Sequence, residues 1–390
     1  MNLSMSESPL VRIAVPAETA PGETRVALVP KSVDQLVKAG ASIGVEAGAG
    51  DAAGIPDEAY SGAGAELVRD RAGLLGSGDL TVVIRRPGEP DLQRLKEGSA
   101  LVGMLDPGGD PSGLRPLLER RVTSFRLETM PRISRAQDMD VLSSMATISG
   151  YYAGVTAACR LPRLFPLLMT AAGTITPART LVVGAGVAGL QAIATCKRLG
   201  AVVEAFDVRP AVREQVESLG ARYVETGAES EQQQDAGGYA RELGDEAKLK
   251  QAAVLAEHVR GADVVITTAL IPNQRAPLLI TEDMVHSMRA GSVIVDLAAS
   301  AGGNCAFTKP DAEVDERRVL ILGPTNPPAK IPGQASQLYS HNVTRFIQLS
   351  LHEGELRFDF DDVVVSQTCM TRDGSPFGDQ MSALLSAATS

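Results

Sequence analysis

The sequence predicts an α/β protein made of two doubly wound parallel sheets that are joined by long helices. Short apolar runs alternate with amphipathic stretches along the chain, and this alternation occurs in two separate series. The chain has 390 residues, of which 44% are apolar and 38 are glycine. Each of two domains therefore has enough residues to bury a core of its own.

The first series of predicted elements occupies the N-terminal region of the chain. Its apolar runs predict the strands Val11–Val15, Ala41–Val45, Leu80–Ile84, Leu101–Leu105 and Val122–Leu127. The stretches between them predict the helices Lys31–Lys38, Asp91–Lys96 and Leu114–Arg120. Such alternation is typical of a parallel sheet with crossover helices.

The second series has the same pattern. Its predicted strands are Leu181–Val183, Val202–Phe206, Val264–Thr267, Val293–Asp296 and Val319–Leu322. Its predicted helices are Ala188–Leu199, Ala211–Leu219, Leu249–Arg260 and Glu282–Met288. A polar, glycine-rich insertion, Glu225–Glu246, interrupts the series and is expected to be functional or mobile.

Two apolar helical stretches should connect the domains: Val141–Ala172, broken near Pro162, and Gln334–Leu351. The tail Leu356–Gln367 predicts two short strands around a turn at Asp361-Asp362, packed back on the first domain. The expected division is a disordered lead over residues 1–9, a first domain over 10–140 and 335–390, and a second domain over 141–334.

Composition narrows the class of protein. The net charge of −10 disfavours a nucleic-acid binder, which would carry a basic face. No apolar run reaches the roughly 18 residues of a membrane span, and the first residues lack the pattern of a signal peptide. The four cysteines are far apart, which disfavours a zinc site or a disulfide framework and favours the cytoplasm. No metal is expected.

A glycine-rich loop, Gly184-Ala185-Gly186-Val187-Ala188-Gly189, follows a predicted strand and opens a predicted helix. Gly184 allows the sharp turn, Gly186 lets a pyrophosphate approach the backbone, and Gly189 lets the helix pack on the strand. The free N–H groups of the helix then face the phosphates. A similar stretch, Gly48 to Gly54, has its third glycine one position late and is interpreted as a plain loop.

The next predicted strand ends at Asp207, 23 residues after Gly184. An acidic residue at this spacing hydrogen-bonds the adenosine ribose hydroxyls and repels a 2′-phosphate. The sequence therefore predicts NAD over NADP, although Arg209 nearby is a residue that tolerates a 2′-phosphate.

Polar residues are concentrated just before the first apolar helix, in the segment Arg132-Ile-Ser-Arg-Ala-Gln137-Asp-Met-Asp140. Helix capping explains one or two of them. It does not explain two Arg, a Gln and two Asp within nine positions, so the residues alone leave a functional site and a structural one equally open.

This segment resembles the Arg-Gln-Asp loop of domain I of the proton-translocating nicotinamide nucleotide transhydrogenases. The resemblance extends in order through Gly150-Tyr151, Leu181–Arg209, Ile266–Pro272 and Ser292–Ala298, and to further patches up to Asp373. It implies two Rossmann-like domains with an NAD(H) cleft between them. It also implies a separate polypeptide that acts with membrane subunits.

The resemblance implies a role for individual residues. The nicotinamide and its ribose would be contacted by Arg132, Ile133, Ser134, Gln137, Asp138, Met139 and Asp140. The pyrophosphate would be held by Gly184, Gly186, Val187, Ala188 and Gly189. The adenosine end and the rest of the cleft would be formed by Asp207, Val208, Arg209, Gly238, Tyr239, Gln251 and Leu270. Arg132, Gln137, Asp140 and Ser143 would be catalytic, and Tyr239 would lie on a mobile loop.

Two positions depart from the family pattern. Position 138 is commonly Ser in the family and is Asp here, which would place an extra negative charge near the nicotinamide ribose. Position 152 is commonly Arg and is Tyr here. The first departure puts the strength of NAD(H) binding in doubt, but not the fold.

The implied chemistry is direct hydride transfer between NAD(H) on this chain and NADP(H) on a partner domain III. Such a transfer requires the two C4 atoms about 3–3.5 Å apart with water excluded. Gln137 would align the two nicotinamides, and the membrane subunits would couple transfer to proton movement. The implied protein is a homodimer at the cytoplasmic face of the membrane, without a span of its own.

Two other functions stay open. Alanine dehydrogenases share the segment Glu23–Pro30, but they carry a Lys near Ile84, a His near Gly103 and an Asp at the position of Ser300. Those residues are absent here, and imine chemistry requires a proton-transferring group. A non-catalytic NAD-sensing subunit is the second alternative, and the presence of Arg132, Gln137 and Asp140 disfavours it.

Overall fold

The computed structural model describes residues 10–106, 111–225, 245–270 and 274–388. The chain divides into two compact units, Met1–Met145 with Ala329–Ser390, and Ala146–Pro328. The predicted lead over residues 1–9 and most of the insertion Glu225–Glu246, including Gly238 and Tyr239, lie outside the described residues.

The strands are short, as expected for a parallel sheet whose two faces are covered. In chain order they are β1 (Arg12–Val15), β2 (Ser42–Glu46), β3 (Glu66–Val68), β4 (Leu80–Arg85), β5 (Ala100–Met104), β6 (Thr123–Arg126), β7 (Leu168–Thr170), β8 (Gly173–Ile175), β9 (Arg179–Val183), β10 (Val202–Phe206), β11 (Arg222–Tyr223), β12 (Val264–Thr267), β13 (Val293–Asp296), β14 (Glu313–Glu316), β15 (Val319–Leu322), β16 (Leu351–His352), β17 (Glu355–Leu356), β18 (Cys369–Arg372) and β19 (Ser375–Pro376).

The helices alternate with these strands. They are α1 (Pro30–Lys38), α2 (Asp57–Gly62), α3 (Arg71–Ser77), α4 (Glu89–Leu92), α5 (Leu114–Glu119), α6 (Val141–Arg160), α7 (Val187–Arg198), α8 (Arg213–Ser218), α9 (Asp245–Gly261), α10 (Glu282–Ser287), α11 (Pro332–Gln348), α12 (Val363–Thr368) and α13 (Asp379–Ala388). Among the described residues, none of these helices is both long and apolar enough to cross a membrane.

The first unit is built on an eight-stranded sheet in the order β19-β18-β6-β5-β4-β1-β2-β3. Strands β1 to β6 are parallel, and β18 joins the edge of β6 antiparallel. Met370 and Met381 of the C-terminal tail are buried against Leu101 and Leu117 of the core. The prediction that the tail packs on the first domain is therefore confirmed.

The second unit has a seven-stranded sheet in the order β11-β10-β9-β12-β13-β15-β14, parallel except for β14. All five strands predicted for this series are present. The strand order reverses on either side of β9, so the carboxyl ends of β9, β10 and β12 meet at one edge. In doubly wound folds this is where ligands bind.

The predicted helix Val141–Ala172 is wrong in its second half. Helix α6 ends at Arg160, and the chain then forms the antiparallel hairpin of β7 and β8. The apolar run 164–169 does not distinguish a buried helix from a strand by periodicity alone. Pro162 and Pro166 prevent the helix from continuing.

The predicted strand pair around Asp361-Asp362 is also wrong. Asp362 is the N-cap of α12, and its carboxylate accepts the Val364 N–H at 2.7 Å. The three consecutive valines of α12 favour a strand. The cap and the burial of Val364 and Val365 override that preference.

Candidate functional site

The glycine-rich loop of the second unit forms a tight turn between β9 and α7. Gly184 has φ +95°, a conformation that residues with a side chain rarely adopt. Its N–H donates to the Phe206 carbonyl at 2.8 Å, and the Ala185 N–H donates to the Asp207 carboxylate at 2.7 Å. The loop is thus fastened to the carboxyl end of β10.

The three glycines differ in the space around them. A Cβ on Gly189 would lie 1.8 Å from the Gly184 carbonyl oxygen, and a Cβ on Gly184 would lie 2.6 Å from the Thr268 hydroxyl. A Cβ on Gly186 would meet nothing within 4 Å. Gly184 and Gly189 are therefore required for packing, whereas Gly186 leaves an open surface beside the backbone.

Helix α7 begins directly after Gly186, without a side-chain cap. The first backbone N–H groups of a helix have no intrahelical partner, and the helix dipole places partial positive charge there. Val187, the first residue of the helix, is 44% exposed. The N–H groups of this turn are suited to an anionic ligand such as a pyrophosphate.

Asp207 is buried and both of its carboxylate oxygens already accept hydrogen bonds. Oδ2 accepts from Ala185 N–H and from the Arg209 guanidinium, and Oδ1 accepts from the backbone N–H and Nε of Arg209. This pairing raises the pKa of Arg209 above its ordinary value. The predicted bond from Asp207 to a ribose thus stays a prediction, and it requires the ribose hydroxyls to share or displace Arg209.

Two residues that the sequence analysis missed shape the loop on the other side of β9. The Thr268 hydroxyl donates to the Gly184 carbonyl at 3.0 Å. Asn304 is fully buried, accepts from Ala269 N–H and donates to the carbonyls of Ala269 and Pro277. An Asn directly after Gly302-Gly303 was the available signal, but its partners are distant in sequence.

Gln251 and Leu270, which the family resemblance places at the cofactor, have features that fit a ligand. Gln251 on α9 is buried, and its Nε2 has no hydrogen-bond partner among the described residues. Leu270 is a large apolar residue that is 43% exposed. An unpaired buried donor, an exposed apolar side chain and the open surface at Gly186 are compatible with a dinucleotide.

In the first unit, the Arg-Gln-Asp segment forms a short 3₁₀ helix over Ser134–Met139. Ala136 and Met139 are buried beneath it, while Gln137 is exposed. The segment ends at Asp140, whose carboxylate accepts the Ser143 N–H at 2.9 Å and the Ser143 hydroxyl at 2.6 Å. Asp140 therefore caps α6 and fixes the exit of the segment.

The residues before the 3₁₀ helix are open to solvent. Arg132 and Ser134 are exposed, and Ile133 is 36% exposed. The structure thus collects Arg132–Asp140 and Ser143 in one surface region of the first unit. It separately collects Gly184–Gly189 and Asp207–Arg209 at one sheet edge of the second unit.

Asp138, the departure from the family pattern, is paired within the first unit. Its carboxylate accepts from Arg345 Nε at 2.7 Å, and its carbonyl accepts from the Asn342 amide at 2.7 Å. The expected extra negative charge is therefore balanced by a cation of α11.

Comparison with known proteins agrees with this architecture. The family descriptions "Alanine dehydrogenase/PNT" match residues 14–149 for the N-terminal domain and 153–377 for the C-terminal domain. The chain is 45% identical to the first polypeptide of the split NAD(P) transhydrogenase alpha subunit of Rhodospirillum rubrum, over 94% of this chain and 97% of that protein. It resembles the crystal structure of a transhydrogenase from Sinorhizobium meliloti with a TM-score of 0.85 and 40% identity, over 94% of this chain and 99% of that one.

An L-alanine dehydrogenase structure shares the fold with a TM-score of 0.80 at 23% identity, covering 97% of this chain and 100% of that one. Similarity at this level of identity shows the fold alone, whereas the transhydrogenase relatives match nearly the full length at 40–45% identity. The chain therefore belongs to the alanine dehydrogenase/PNT family, together with the NAD(P) transhydrogenase alpha subunits.

Proposed function

We propose that this chain is the NAD(H)-binding component of a proton-translocating NAD(P) transhydrogenase. It would hold NAD(H) and exchange a hydride reversibly with NADP(H) carried by a partner domain. Membrane subunits would couple this exchange to proton translocation. The observation that carries the proposal is the loop Gly184–Gly189, open at Gly186, in a chain that matches a transhydrogenase alpha-subunit polypeptide over almost its whole length.

A bound dinucleotide supplies the hydride chemistry, so the residues of this chain have to bind, orient and exclude water. The N–H groups at the start of α7 would hold the pyrophosphate, and Asp207 with Arg209 would contact the adenosine end. Arg132, Ile133, Ser134 and Gln137 through Asp140 would contact the nicotinamide side. Ser143 would act by orienting the Asp140 carboxylate, which it contacts at 2.6 Å.

Amino-acid oxidation is the less favoured candidate for two structural reasons. A Cβ on Gly103 would lie 2.8 Å from the Val83 carbonyl oxygen, so the strand does not admit a histidine at this position without moving. The buried Arg25 guanidinium, which could otherwise clamp a carboxylate, is paired with Glu23 at 2.6 Å, and both side chains are 1% exposed. Neither observation favours an alanine substrate.

The proposal also includes an assembly. The chain would act as a homodimer and lie at the cytoplasmic face of the membrane through its partner subunits. The name of the Rhodospirillum rubrum relative, which numbers it as the first portion of subunit alpha, is consistent with further subunits.

The test is single-turnover hydride transfer from NADH to an NADP⁺ analogue with a supplied NADP-binding domain III. We expect Arg132→Ala and Gln137→Ala to slow transfer by about tenfold or more, because misplacement of reacting groups by about 1 Å costs up to ~10²-fold. Lys96→Ala, which removes a surface ion pair with Asp79, is the matched control and should transfer at the rate of the unmodified protein.

Each contrary outcome identifies a different function. Tight NADH binding without transfer in the unmodified protein would favour the sensing subunit. Reduction of NAD⁺ by alanine would favour the amino-acid dehydrogenase. Equal transfer rates in the unmodified protein and both variants would refute the catalytic assignment.

A further inference from the structure

The 3₁₀ helix Ser134–Met139 has few apolar contacts of its own. Only Ala136 and Met139 are buried, and the side chains from Arg132 to Arg135 and of Gln137 are exposed. Runs of 3₁₀ helix longer than three or four residues are uncommon because their hydrogen-bond geometry is poorer. Contacts from outside the segment are therefore needed to fix its conformation.

Two ion pairs provide such contacts, one before and one after Gln137. Arg135 donates two hydrogen bonds to the Asp362 carboxylate, at 2.9 Å and 2.6 Å. Asp138 accepts from Arg345 Nε at 2.7 Å. The partners are 227 and 207 residues away in sequence, so these contacts fasten the segment to the C-terminal region of the first unit.

Both distant partners are themselves held in place. The Asp362 carboxylate also caps α12 by accepting the Val364 N–H. Arg345 on α11 donates in addition to the Gln348 side chain at 3.0 Å, and Asn342 of the same helix donates to the Asp138 carbonyl. The segment thus rests on two elements, α11 and α12, through side chains that have little freedom to move.

We propose that Arg135, Asp362 and Arg345 are positioning residues that set the placement of Gln137 for hydride transfer. This inference rests on the proposed function, because Gln137 is the residue taken to align the two nicotinamides. It adds three residues to that site and assigns a use to the Asp at position 138. That Asp provides the second fastening point through Arg345.

The side chains of these pairs are 23–49% exposed, and ion pairs at such exposure contribute little to folding stability. Their effect should instead appear in the geometry of the segment. A small displacement of a positioning group reduces the rate of a transfer step much more than it reduces the affinity for the bound cofactor.

The experiment measures single-turnover hydride transfer to a supplied domain III and, separately, the Kd for NADH by fluorescence. We expect Arg345→Ala and Asp362→Asn to slow transfer by about five- to twentyfold while the Kd changes by less than about threefold. Asp362→Asn is chosen because an amide oxygen still caps α12. Lys96→Ala, a cation of equal exposure in the same unit, is the control and should change neither quantity.

Rescue distinguishes positioning from a general loss of structure. The exchanged pair Asp138→Arg with Arg345→Asp restores the ion pair with the charges reversed, and it should recover transfer to within about threefold of the unmodified rate. Thermal unfolding should be the same for the exchanged pair, the single variants and the control.

Three results are decisive. Unmodified transfer rates in Arg345→Ala and Asp362→Asn would overturn the inference while leaving the proposed function intact. A parallel loss of thermal stability, NADH affinity and rate, without rescue by the exchanged pair, would also overturn it, because the pairs would then be merely structural. An unmodified protein that binds NADH but transfers no hydride would instead refute the proposed function.

Discussion

Glu18 has a carboxyl group in an environment that disfavours its charge. It lies just after β1 and accepts hydrogen bonds from the N–H groups of Ile84 and Arg85 at 2.6 Å and 3.1 Å. Burial outweighs these bonds and raises the pKa of Glu18 from 4.5 to about 7. The folded protein therefore binds a proton at this site more tightly than the unfolded chain does.

The sign of the resulting pH dependence follows from this shift. Between about pH 4.5 and 7 the folded state keeps a proton that the unfolded state has lost, so the free energy of unfolding falls as the pH rises. Because the side chain keeps some contact with solvent, we expect a loss on the order of 1–3 kcal/mol that is complete above pH 7. Glu18→Gln should remove it.

Urea unfolding at pH 5, 6, 7 and 8 measures this effect. The exposed Glu58→Gln is the control and should retain the pH dependence of the unmodified protein. If the stability curves of Glu18→Gln and the unmodified protein run parallel from pH 5 to 8, the raised pKa of Glu18 is refuted.

At the scale of an element, the β9–α7 turn separates the two uses of glycine. Gly189→Ala would place a Cβ 1.8 Å from the Gly184 carbonyl oxygen, and the backbone cannot yield there without moving α7 from β9. We expect it to lower the free energy of unfolding by on the order of 2–3 kcal/mol or more. Chemical denaturation measures this loss.

Gly186→Ala is the matched substitution in the same turn. With φ −75° and no atom within 4 Å of a new Cβ, alanine should be accommodated with a change in stability below about 1 kcal/mol. The methyl group would instead occupy the open surface assigned to the pyrophosphate, so NADH affinity should fall by about tenfold or more. Wild-type NADH affinity in this variant would contradict the assignment.

Elements also show where local patterns fail. The five strands of the second series could be predicted because continuous apolar runs of four to six residues, bounded by polar residues, fit a covered parallel sheet. Helix α12 could not, because its three valines favour a strand and the deciding contact is the cap from Asp362. The hairpin of β7 and β8 was missed because its apolar residues show no alternation of burial: they are exposed on both strands.

At the scale of the whole molecule, that hairpin is the clearest apolar surface of the second unit. Its strands pair only with each other, and Leu167, Leu168, Met169 and Ile175 are 40–73% exposed. Residues 164–178 contain no charged side chain. An isolated two-stranded hairpin is marginal in water, and uncharged open edges are places where chains associate.

We expect this hairpin to contact a second copy of the chain, because two identical open edges pair with each other about a two-fold axis. Met169→Asp, at a residue that is 73% exposed, should weaken the proposed homodimer by at least about tenfold in Kd without unfolding the protein. Sedimentation equilibrium measures the effect. Leu249→Asp on α9, at a residue that is 71% exposed, is the control and should leave the dimer intact. A dimer of unchanged strength in Met169→Asp would rule out the hairpin as the contact.

The sequence by itself determined the α/β class, the parallel strands and the glycine turn. Apolar runs and steric limits on a turn are properties of adjacent residues, so they can be read without knowing the fold. Only the tertiary structure decided that Arg209 engages Asp207, that Thr268 and Asn304 brace the loops around the turn, and that Arg345 and Asp362 fasten the segment around Gln137. Except for the Asp207–Arg209 pair, whose side-chain geometry no residue pattern specifies, these contacts join residues about 35 to more than 200 positions apart. The packing of distant elements creates them, and no local pattern encodes them.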